Sequence, residues 1–103
     1  MKIGALYQTK ELYWFLYPSK DIARRLHQLD RLRMFALVIG VAQDFAAYWS
    51  KQLNCNVSYI EPNSIFCLLE QDGNFMKILS NNGELGWIIL ADWCKNYIEE
   101  VNQ

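Results

Sequence analysis

The stretch Ile65-Phe66-Cys67-Leu68-Leu69-Glu70-Gln71-Asp72-Gly73-Asn74-Phe75-Met76-Lys77-Ile78-Leu79-Ser80, continued by Asn81-Asn82-Gly83-Glu84-Leu85-Gly86-Trp87-Ile88-Ile89-Leu90, decides the fold. Three apolar runs are separated by two sets of turn residues. Gln71-Asp72-Gly73-Asn74 and Asn81-Asn82-Gly83 both supply residues that accept a positive φ, as tight connections between antiparallel strands require. The stretch reads as a three-stranded antiparallel meander.

Upstream, Ile3 to Thr9 and Leu12 to Tyr17 are rich in aromatic and aliphatic residues, broken only by Lys10-Glu11. They read as a hairpin or a pair of short strands. Lys-Glu suits a two-residue type I′ turn poorly, so a longer loop or a bulge is expected there. Pro18, with no N–H to donate, closes the second strand. Ser19 then has the character of a helix N-cap, with Asp21 complementing the helix dipole in the first turn. Ile22, Leu26, Leu29, Leu32, Ala36 and Ile39 recur at three- and four-residue steps, which predicts an amphipathic helix through Arg33.

From Met34 to Ala42 the chain is apolar on every side, and periodicity cannot separate buried helix from buried strand. The absence of a turn residue favours continued helix with a break at Gly40, although Leu37-Val38-Ile39 and Val41 suit a strand. Gln43 to Leu53 reads as helix, with Phe45, Trp49 and Leu53 four apart. Asn54-Cys55-Asn56 ends it. Val57 to Ile60 is a short strand stopped by Glu61-Pro62-Asn63-Ser64. After Leu90, residues 91 to 96 predict one short helical turn and Tyr97 to Val101 a last strand.

This order resembles bacterial SH3-like (SH3b-type) barrels, including the small proteins of that kind in phage and bacterial genomes. Residues 61 to 101 carry the likeness. Glu61 to Phe66 looks like the entry turn. Lys77-Ile78-Leu79 followed by Gly83-Glu84-Leu85-Gly86-Trp87-Ile88 is similar to the family's Gly-Trp step, and Ala91-Asp92-Trp93 stands where such barrels have a helical turn. The resemblance implies an α+β chain: one SH3-like antiparallel barrel domain over residues 1–103, with a helical insertion at residues 19–53. That insertion replaces the loop forming much of the family's ligand groove, so proline-rich peptide binding does not carry over. Gly86 would let another strand approach closely, and a buried Trp87 would cover the barrel end.

With 103 residues, 52% hydrophobic and 15% aromatic, the chain can fill one core and is not disordered. A net charge of −1 is no global signature of a nucleic-acid or membrane binder. The charge is uneven. Lys20, Arg24, Arg25, Arg31 and Arg33 against Asp21 and Asp30 make residues 20–33 locally +3, leaving −4 elsewhere. The longest apolar run, Met34 to Ala42, falls short of the ~20 residues a membrane helix needs. Cys55, Cys67 and Cys94, spaced 12 and 27 apart with a single histidine, offer no paired zinc ligands, so no metal or cofactor is expected. No signal peptide is visible at Met1 to Gly4, and free thiols in a reducing cytoplasm are expected.

Catalytic motifs are missing as well: there is no GxSxG, P-loop or GxGxxG. His27 sits among basic residues as a solvated helix-face histidine, and Glu99-Glu100 point to opposite faces of a strand. The residues therefore predict no enzyme. Aromatics in excess of a small core's needs point to contact surfaces. Tyr13, Phe15 and Tyr17 share one face of their strand and Trp14 and Leu16 the other. With Trp49, that first face covers either the inserted helices or a partner. The expectation is an interaction or adaptor module that binds a protein or self-associates. The alternative is a nucleic-acid-associated barrel gripping phosphate through Lys20, Arg24, Arg25 and Arg31.

Overall fold

The structure, a computed structural model, describes residues 1–29, 35–36, 39–90 and 92–101. Two antiparallel sheets carry the chain. The strands Leu6–Thr9 (β1), Tyr13–Leu16 (β2), Phe35–Ala36 (β3), Ser58–Ile60 (β4), Ile65–Asp72 (β5), Phe75–Ser80 (β6), Leu85–Ile89 (β7) and Ile98–Glu100 (β8) alternate with helices Lys20–Leu29 (α1) and Ile39–Leu53 (α2). The larger sheet runs β7-β6-β5-β1-β8 and the smaller β3-β2-β4. Among the described residues one bridge joins them: Tyr17 and Trp87 exchange two backbone hydrogen bonds of 2.8 Å. The described strands form an α+β fold of two linked sheets and not a closed barrel.

The meander forms where its turn residues place it. Gly73 and Gly83 take φ of 60° and 83°. Phe75 pairs with Asp72 and Ile89, and Leu79 with Cys67 and Leu85. A register shift between Leu68 and Glu70 is a bulge that re-aims the end of β5. Along β5, β6 and β7 alternate residues face inward, so Phe66, Leu68, Met76, Ile78 and Ile88 meet Tyr7, Trp14 and Leu16 in the core between the sheets.

Residues 3 to 17 give two strands but no hairpin. β1 pairs with β5 and β8, while β2 pairs with β3 and β4. The reason lies at both ends of the connection. Buried Thr9 donates its hydroxyl to Glu61 O at 2.8 Å and accepts the Ser64 N–H at 3.0 Å, fixing the end of β1 to the β4–β5 turn. Glu11 then adopts φ 63° and the Leu12 N–H bonds Lys10 O at 2.6 Å, which turns the chain out of the first sheet and into the second.

Ser19 caps α1 as its chemistry predicts, its Oγ accepting the Ile22 N–H at 3.2 Å. The continued helix does not hold. Phe35–Ala36 is a strand on β2, with Tyr13 opposite Ala36. Arg31, Arg33 and the remaining residues of 30–34 and 37–38 lie outside the described residues. The apolar run is β-compatible, and β2 has a second edge to satisfy; pairing outweighs the missing turn signal. Gly40 is no break either. It sits in the first turn of α2, where backbone N–H groups lack helical partners in any case. α2 ends on Asn54 at φ 51°, and the Cys55 N–H reaches Ser50 O at 3.1 Å in a Schellman-type closure. The turn predicted over 91–96 is a 3₁₀ segment, Asp92–Tyr97, and residue 91 lies outside the described residues. β8 follows as the predicted last strand.

Gly86 shows why one residue must lack a side chain. A Cβ built there would lie 2.6 Å from Leu16 Cγ and 2.9 Å from Tyr17 O, whereas one at Gly40 meets nothing within 4 Å. Gly86→Ala is expected to lower stability by about 1–3 kcal/mol through overpacking. Gly40→Ala should be neutral or stabilising by up to about 1 kcal/mol. Urea unfolding of the two variants checks the contrast, and equal effects would refute it.

Candidate functional site

The residues predicted to meet a partner are instead assembled into a second core. β2 alternates, so Trp14 and Leu16 enter the core between the sheets while Phe15 and Tyr17 turn the other way. There they meet Ala23 and Leu26 of α1, and Ala42, Ala46 and Trp49 of α2. Phe15 is 1% exposed and Tyr17 0%, and Phe15 packs edge-on against Phe45 with centroids 6.5 Å apart. Trp49 is buried as well. Tyr13 is half-buried, edge-on to Tyr59 at 6.0 Å. The aromatic face thus covers the inserted helices, one of the two occupants the residues allow, with Phe15, Tyr17 and Trp49 buried and Tyr13 partly exposed.

Two of the basic residues, Lys20 and Arg24, are similarly occupied, while Arg25 is exposed on α1 and Arg31 lies outside the described residues. Lys20 Nζ lies 2.9 Å from Asp72 Oδ2 and 5.8 Å from the centre of the Trp87 ring. Arg24 lies 3.8 Å from Asp21 and 5.9 Å from the Phe75 ring centre, with His27 edge-on to the same ring at 5.9 Å. These contacts hold α1 against the outer face of β6 and β7. They also correct the expected role of Trp87. Gly86 and Ile88 face the inner core, so Trp87 faces outward and lies half-buried beneath α1, not across a barrel end.

Among the described residues no group of three or more His, Cys, Asp or Glu is placed to hold a metal ion. Cys55 and Cys67 are free thiols. Burial pushes the Cys55 thiol up, opposed by the charge of Arg25, so it is a protonated, poor nucleophile at neutral pH. No helix among the described residues is long and apolar enough to cross a membrane.

What α1 leaves open is the more informative feature. Leu6, Cys67, Leu79 and Leu85 are register partners across β1, β5, β6 and β7. Their neighbours Tyr7, Phe66, Ile78 and Gly86 are buried, so all four stand on the outer face. The row spans about 14 Å at the usual strand spacing. Leu85 is 59% exposed and Leu79 38%, with Ile65 exposed beside them. Leu6, Ile65, Cys67 and Leu79 line a shallow hollow of about 220 Å³. Sequence reasoning missed this row because each member sits alone in an alternating strand; only the register brings them together. No family model, no curated protein and no solved structure matches the chain.

Two outcomes follow from these placements. Phe15→Ala is expected to cost about 3–5 kcal/mol by opening a cavity, read as a lowered urea midpoint; an unchanged midpoint would show that the second core does not depend on it. For Asp72, the hydrogen bond and charge of Lys20 hold the carboxyl below its ordinary value. A carboxyl depressed in the folded state contributes stability above its unfolded pKa of about 4 and loses it as pH falls through the lower folded value. Asp72→Asn should remove that small acid-side increment from a melting-temperature profile while leaving the profile above pH ~5 parallel to wild type.

Proposed function

We infer that the protein is a non-catalytic interaction module whose contact surface is the outer face of the larger sheet. The row Leu85–Leu79–Cys67–Leu6 carries this reading. Exposed Leu79, Leu85 and Ile65, continued by half-buried Leu6 and Cys67, form one apolar line that favours burial against another macromolecule, since isolated surface leucines need no partner but contiguous ones tend to mark interfaces. The surface differs from the aromatic face expected from β2, which the helices already occupy. The binding partner is a protein, with self-association as the second form the same face allows. The finer architecture we favour is an opened relative of the SH3-like barrel. Supporting it are the meander, the β1–β5 and β1–β8 pairings and the Tyr17–Trp87 bridge.

The nucleic-acid reading has less behind it. Lys20 and Arg24 lie against carboxylates and aromatic rings of the same chain, and cations so engaged are less available to displace counterions from phosphate.

The test is a pair of charge insertions, Leu79→Asp and Leu85→Asp. Both sites are solvent-exposed, so folding measured by circular dichroism should change little. Capture of a specific protein partner, or dimerisation followed by sedimentation, should fall at least about tenfold, the scale of an unpaired charge in an interface. Undiminished association in both variants would remove this face from the function.

A further inference from the structure

A second opening lies where the two sheets fail to meet. β4 pairs with β2 along one edge and, among the described residues, with no strand along the other. Opposite that edge stand Ser80, Asn81 and Glu84 at the β6–β7 turn, which with Ser58 and Glu61 belong to the lining of a cleft of about 410 Å³. An antiparallel strand satisfies only part of its backbone through one neighbour. The backbone groups of β4 that do not face β2 point the other way, bounded on one side by Val57, whose N–H and C=O are bonded to Ser50 Oγ, and on the other by Glu61, whose C=O accepts the Thr9 hydroxyl. Such an edge is a template for an added strand.

The cleft has a sign as well as a shape. Among the described residues Glu61 and Glu84 are its only charged lining residues, and both are acidic. Glu84 is fixed in place from two sides. Its N–H donates to the hydroxyl of buried Ser80 at 3.1 Å, and its carbonyl accepts the Ser80 N–H at 2.9 Å. Ser58 donates to its Oε2 at 3.1 Å. A carboxylate so held beside an unpaired strand edge suits a cation presented on an extended backbone.

We propose that this cleft receives an extended peptide segment, which adds to the free edge of β4 and directs one lysine or arginine side chain toward Glu61 and Glu84. The inference is independent of the apolar row, although the cleft and the hollow share Ser80 and Asn81 at their border.

Selection of a random peptide library displayed on phage against the full chain tests it. Recovered peptides should carry a lysine or arginine within a β-prone run. Their affinity should fall at least about tenfold on Glu61→Gln/Glu84→Gln, and markedly on raising salt to about 0.5 M. Amide exchange at Ser58 to Ile60 should slow when such a peptide binds, a change that loss of charge alone would not produce. Recovered peptides without a basic residue, or indifference to the double glutamine variant, would overturn the proposal. So would exchange protection confined to Leu79 and Leu85; that outcome would leave the apolar face as the interaction surface. Failure to recover any peptide would overturn it too, and retained capture of a protein partner sensitive to Leu79→Asp would then separate this failure from that of the sheet-face reading.

Discussion

The close approach of β2 to β7 at Gly86 governs most of the molecule. Leu16 occupies the space that a side chain on Gly86 would need, and the adjoining Tyr17 and Trp87 exchange backbone hydrogen bonds. This one junction fixes the phase of both strands. With Gly86 and Leu16 turned inward, Trp87 and Ile89 must turn outward on β7, and Phe15 and Tyr17 away from the first core on β2. A register slip of one residue would expose the first core and bury the second set against it. Two rows of large rings are thereby committed to a surface that water would otherwise cover.

The segment between β2 and β4 answers that need. α1 and α2 bury Phe15, Tyr17 and Ile89, each fully buried residue of this size contributing about 1.5–3 kcal/mol. The electrostatics of α1 serve the same end. Lys20 and Arg24 reach aromatic rings and carboxylates on and near the sheet it covers, so the basic segment helps seat a helix on an aromatic floor. Exposed ion pairs of this kind are individually weak, and the cation–aromatic contacts add about half to one kcal/mol each where solvent reaches them. Their value lies in fixing where α1 sits, and hence where it stops. It stops short of Leu79 and Leu85.

The parts of the fold legible in the residues are those with local causes. Gly73, Gly83, Asn54 and Ser19 each impose or satisfy a specific backbone geometry, and each is found in the role its chemistry dictates. The run from Met34 to Ala42 was not legible, since it is apolar on all sides and its state depends on whether β2 has a vacant edge. Nor could β1 and β2 be assigned to different sheets from composition. That separation rests on Thr9 and Glu11, a buried hydroxyl and a left-handed turn with no strong signature in one sequence. The candidate surfaces were hidden for a related reason. Tyr13, Phe15, Tyr17 and Trp49 stand out by type, yet rings of that size are what a second core consumes, whereas Leu6, Cys67, Leu79 and Leu85 are unremarkable until pairing aligns them.

The same geometry explains why the open surfaces lie side by side. Among the described residues one bridge joins the sheets, and the cleft lies between β4 and the β6–β7 turn. Ser80 marks the boundary: its buried side chain braces Glu84 on the cleft side, and the preceding residue, Leu79, stands in the apolar row. A fuller closure would pair the edge of β4 and erase the cleft, and the row lies at the Leu79–Leu85 end of β6 and β7, away from the Phe75 end where Arg24 and His27 of α1 pack. The molecule retains both because the covering segment is sized to the aromatic floor around Trp87 and Phe75, and what lies beyond that floor is aliphatic on one side and acidic on the other. An apolar line next to a carboxylate-lined strand edge is a combination that core packing alone does not require.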